Sequence, residues 1–140
     1  MSGDASWKLQ QRVFDLLNES PALAGGKVYD NVPQAVVSAT APNSAFPYIA
    51  IGEMDAIPDD VSPGDDGQSE TLTLHVWSRH AGQMEVKQLM DAAKTRLHGV
   101  DLGVSGRASS IAWVRSMRNF LDPDGKTRHG VVSVEVIHRN

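Results

Sequence analysis

An α+β fold is what this chain of 140 residues predicts: a mainly antiparallel sheet of about five strands with two helices packed on one face. Three observations carry the prediction. Two segments repeat apolar residues at helical spacing, and several others alternate apolar and polar residues as half-buried strands do. Asp122-Pro123-Asp124-Gly125 then supplies hairpin turn chemistry between two of those strands. Two helices are too few to cover both faces of such a sheet, so its second face is left open. A single domain over residues 1–140 fits this length.

The first helix is expected at about 4–18, where Leu9, Val13, Leu16 and Leu17 form the stripe. Asp4 or Ser6 caps its start, and Pro21 and Gly25-Gly26 lie beyond its end. A short strand follows at Lys27–Asn31, and after a Pro/Ala/Ser-rich connection a second at about 46–53, with Pro47 at its start. Residues 70–78 give the cleanest strand. Leu72, Leu74 and Val76 point one way, and Thr71, Thr73, His75 and Trp77 the other. A second helix at about 82–98 carries Val86, Leu89, Met90, Ala93 and Leu97, and ends at His98-Gly99. The Gly-rich stretch 99–107 reads as a loop. Strands at about 109–121 and 127–139 form the closing hairpin, with Val132, Val134 and Val136 buried on one face.

Charge is unevenly spread. Residues 1–70 carry 11 acids and 3 bases, and residues 71–140 carry 6 acids and 10 bases. Most of the acid falls in EMDAIPDDVSPGDDGQSE, 53–70, with seven carboxylates, no base, and four Pro or Gly residues. This reads as a long exposed acidic loop, and loops of that length inside a domain are usually functional or disordered. The net charge of −4 argues against a protein whose task is neutralising phosphates. With no Cys there is no disulfide framework, thiolate metal site or Cys nucleophile. Neither a signal peptide nor a membrane-spanning stretch is visible, which suits a soluble cytoplasmic protein without a membrane partner.

Catalytic and metal chemistry find little support. No His pair has the spacing of a helical zinc site, and His75 and His80 have opposite parity along a strand. Scattered sheet and surface histidines are the better reading. There is no Gly-x-Ser-x-Gly elbow around Ser105, no phosphate-binding loop and no dinucleotide fingerprint. An EF-hand starting at Asp59 fails because Val61 and Pro63 fall at ligand positions. A loose calcium or magnesium site among Asp59, Asp60, Asp65 and Asp66 has no further support. The expectation is therefore no enzyme, no metal and no cofactor. The candidate contact residues are Asp55, Asp59, Asp60, Asp65 and Asp66 on the acidic side, and Arg115, Arg118 and Arg128 on the basic hairpin. His75 and Trp77 on the open sheet face complete the set. Unlike charges at the two halves suit head-to-tail contact between copies, and a repeated heterologous contact closes a ring.

Val28-Tyr29-Asp30, Phe46-Pro47-Tyr48, Leu74-His75-Val76-Trp77-Ser78 and Asp124-Gly125 with His129-Gly130-Val131 together give the chain a specific likeness. In their order, from first helix to last strand, it resembles the tail terminator (tail completion) proteins of long-tailed phages, prophages and gene transfer agents. The stretch between Pro33 and Asn43 looks longer than in the compact form of that pattern. The resemblance implies a structural virion protein in a phage-like tail, assembled in the host cytoplasm. It implies a hexameric ring that caps the head-proximal end of the tail tube and ends its polymerisation. The ring also joins the neck, so its partners are other copies of the chain, the tail tube protein and a neck or head-completion protein. DNA passes through without specific binding. A head–tail connector of similar fold is the nearest alternative. A tube subunit, an enzyme and a host binding module stand further off.

Overall fold

Leu9, Val13 and Leu17 recur every four residues and are fully buried, which fixes the inner face of the first helix, α1 (Ser2–Asn18). The computed structural model describes residues 2–30, 32, 41–58 and 68–139. The stretch 33–40, most of the expected insertion, and residues 59–67 lie outside these. After α1 come a 3-10 turn (Leu23–Gly26) and the two-residue strand β1 (Val28–Tyr29), shorter than expected. Then follow β2 (Tyr48–Pro58), β3 (Gln68–Ser78), helix α2 (Met84–Leu97), β4 (Ser109–Leu121) and β5 (Arg128–Arg139).

The strands form one sheet in the order β1-β2-β3-β5-β4, antiparallel except for β1 against β2. Both helices cover the same face. Val86, Met90, Ala93 and Leu97 of α2 join the α1 stripe over Ile49, Ile51, Leu72, Leu74, Val76, Ala112, Val132, Val134 and Val136. Gly130 makes the close approach of α2 possible: a Cβ there would stand 2.8 Å from Met90 Sδ and 2.9 Å from Val86 Cγ2.

The acidic stretch is where the structure corrects the sequence reading. Residues 53–58 continue β2 and residues 68–70 begin β3, so both ends of the expected loop are paired strand. Pairing accommodates the Gly52-Glu53 region through a bulge between Ile51 and Met54. The 99–107 segment is likewise more than a connection. Gly99 and Leu102 donate to the carbonyls of Ala112 and Ser110, Ala112 donates to that of Val100, and Leu102 and Val104 are buried. The first half of β4 is therefore lined on its outer side.

One side chain ties the helices together. Arg96 of α2 donates to the carbonyls of Leu16, Leu17, Glu19 and Pro21, the end of α1 and the chain just past it. A guanidinium satisfies carbonyls that a helix end cannot pair internally, and its charge suits that end of the dipole. Replacing Arg96 with Ala should therefore cost about 2 kcal/mol, in the range for hydrogen bonds to a charged group. The urea midpoint measures this, and an unchanged midpoint would show that α1 is held by its apolar stripe alone.

Candidate functional site

Strand alternation sends Thr71, Thr73, His75 and Trp77 of β3 to the face the helices leave bare, as expected. Register then assembles a row of rings there. Tyr48 of β2 lies opposite Trp77, Trp77 opposite His129 of β5, and His129 opposite Phe120 of β4. The rings of Trp77 and His129 stack at 3.8 Å and 11°, Tyr48 stacks on Trp77 at 6.2 Å, and Phe120 meets His129 edge-on at 4.9 Å. Phe46 and Tyr29 extend the row beyond Tyr48 at 5.3 and 5.9 Å, and Arg79 lies 4.3 Å over Phe46. Offset stacks and edge contacts of this kind add stability beyond the area buried.

The histidines stand at the middle of the row. His75 Nδ1 and His129 Nε2 are 2.8 Å apart, one donating and the other accepting. Burial, and next the neighbouring His75, hold the His129 pKa down at about 4, with Arg118 adding a smaller effect and Asp122 opposing. Glu53 reaches the other ring nitrogen of His75 at 3.6 Å. Glu53 and His129 thus sit on opposite nitrogens of one imidazole and do not converge on a shared point, as a metal ligand set must. The ring of His75 lies over Gly52, where a Cβ would come within 2.8 Å of it.

Of the residues expected to make contacts, His75, Trp77, Arg115 and Arg118 share this open face. Asp55, opposite Thr71, lies on it near the far end of β2. Arg115 is engaged within the protomer, at 2.8 Å from the Glu135 carboxylate. Arg118 is exposed, stands 5.9 Å over Phe120, and makes no ion pair among the described residues. Arg128 shares the parity of Gly130 and Val132, which puts it on the helix-bearing face. It is not part of the same patch. Asp59, Asp60, Asp65 and Asp66 lie outside the described residues. The sequence reading missed His129, Tyr48 and Phe120 as members of the row. Each is visible only once strand register is known.

A second polar group sits under the helices. Ser110 Oγ is 2.7 Å from His138 Nδ1, and His138 Nε2 is 2.8 Å from a Glu70 carboxylate oxygen. The residue types are those of a hydrolase triad, but all three are at most 1% exposed. A hydroxyl with no path to solvent cannot attack a substrate, so this network is structural. The open face thus presents aromatic rings, the exposed Arg118 guanidinium and, near the far end of β2, the Asp55 carboxylate. No helix among the described residues is long and apolar enough to cross a membrane.

The family model described as tail completion protein gp17 matches residues 11–139. A search of curated proteins finds no match. The fold is similar to that of a chain in a solved virion of a native gene transfer agent particle. That similarity has a TM-score of 0.67 at 20% identity, and covers 94% of this chain and 92% of that one.

Proposed function

Because the chain belongs to the tail completion protein gp17 family, and so is a structural component of a phage-like tail, we propose that it ends tail-tube assembly. In this reading copies of the chain close into a ring, a hexamer, on the head-proximal end of the tube. The ring stops polymerisation and presents the surface that the neck or head-completion protein joins. DNA passes through without being gripped. The observation that carries the reading is the extent of the family match, which spans the whole sheet, all of α2 and the second half of α1. The fold shared with a chain of a gene transfer agent virion supports the setting. The rings of Trp77 and His75, with Arg118 and Asp55, are the contact residues proposed on this face.

The experiment is deletion of the gene followed by electron microscopy of the particles. Tails of uncontrolled length without attached heads are the expected result. Tails of normal length that fail to join heads would favour the connector reading. Normal tails with heads attached would refute both.

A further inference from the structure

Both outer edges of the sheet are half covered, and the uncovered halves match. On one side β1 pairs only with Ile49 and Ala50 of β2. Among the described residues nothing pairs with the outer side of β2 beyond the bulge, from Met54 to Pro58. On the other side, the 99–102 segment and the His98 ring occupy the outer groups of β4 as far as Val114. From Ser116 to Leu121 that edge also has no partner among the described residues. Unpaired edges of this length are templates for another strand.

We propose that these two half-edges pair with each other between neighbouring copies, β4 of one protomer continuing into β2 of the next. Three features of the protomer support this occupant. Direction is the first. β2, β3, β5 and β4 alternate in sense, an even number of strands, so a copy added head to tail places its β2 antiparallel to β4 and the alternation continues unbroken.

Charge is the second. β4 contains Arg115 and Arg118 and no acid, whereas β2 contains Glu53 and Asp55 and no base. Asp55 and Arg118 lie on the same, open face of their strands, where opposite charges on paired strands attract.

Stagger is the third. Straight across the sheet, Arg118 lies level with Val131, His75 and Ala50. Asp55 lies level with Thr71, four residues before His75 on β3. Bringing Asp55 beside Arg118 thus shifts the copies by about 13 Å along the strands, across four strands spanning about 19 Å. That corresponds to strands tilted about 35° from the axis of rotation, within the range by which sheets close into barrels. The two half-edges are offset in the way a closed assembly requires rather than lying level, as a flat sheet would need. This inference rests on the ring reading and names the surface that makes the ring.

Because the chain has no cysteine, disulfide trapping gives a clean test. Asp55→Cys is combined with Arg118→Cys, and separately with Ser116→Cys, in the full chain, both purified and assembled in particles. The expected result is a ladder of covalent multimers on a non-reducing gel from one of the two pairs in at least one preparation. Each single variant should stop at dimers. Asp55→Cys with Lys94→Cys on the exposed side of α2 serves as the control. Dimers or monomers only from both pairs in both preparations, or an equal ladder from the control, overturns the pairing. Rings seen by electron microscopy without a ladder would leave the ring and remove this interface. A ladder from open chains would keep the interface and count against the closed ring.

Discussion

Replacing Glu70 with Ala should destabilise the protein by about 3 kcal/mol at neutral pH, a large fraction of the stability of a domain this size. Glu70 is 1% exposed and His138 is fully buried, and the two meet at 2.8 Å. Truncating the acid removes a charge-assisted hydrogen bond. It also leaves the His138 N–H facing a cavity, where a buried donor without an acceptor carries its full desolvation cost. The double variant Glu70→Leu with His138→Leu should recover only part of the loss, because it removes the unmet His138 donor but leaves the buried Ser110 hydroxyl without its partner. Urea unfolding of the two single variants and the double variant measures the coupling. If Glu70→Ala lies within about 0.5 kcal/mol of the wild type, burial there is not holding the fold.

The same residue shows what the sequence could and could not tell. Glu70 is one of seven carboxylates in an eighteen-residue stretch, and by composition it reads as solvated. Its burial depends on His138 and Ser110, 68 and 28 residues apart from their partners, which only the sheet register brings together. For the same reason the acidic charge of Glu53 and Asp55 hid the continuation of β2: both side chains are exposed on a strand whose neighbours Met54 and Ile51 face the core. Where the pattern is local, the sequence was enough. The alternation of β3, the helical stripes of α1 and α2 and the terminal hairpin are all where their residues place them. The hairpin turn is held by Asp124, whose carboxylate accepts from the Lys126 and Thr127 amides and the Thr127 hydroxyl. The Thr127 hydroxyl, then these amides, lower its pKa to about 2. His75 and Trp77 were legible as a surface by parity alone. The row of rings around them was not, because it is written across four strands.

Acidification should loosen that row of rings, and His129 is where the proton acts. Its folded-state pKa of about 4 lies below the ordinary histidine value, first because burial disfavours the charged ring and next because His75 stands beside it. Above the ordinary value of 6.5 neither folded nor unfolded chain holds a proton there, and the stacked arrangement contributes fully. As pH falls from about 6.5 toward 4 the unfolded chain takes up a proton that the folded chain refuses. Stability is therefore lost progressively over this window. Below it the folded chain is protonated too, and a charged His129 has no ring nitrogen left to accept a hydrogen bond across the 2.8 Å contact to His75. Asp122 near His129 moderates the effect, and Arg118 reinforces it. An NMR titration should place the His129 ring near pH 4. His129→Gln should flatten the loss of urea resistance between pH 7 and 4.5. His75→Ala should move the His129 midpoint upward only in part, since burial, the larger cause, remains. A His129 midpoint near 6.5 in the wild type would mean that the stack on Trp77 opens to water readily, and that the open face is not the rigid surface its geometry describes.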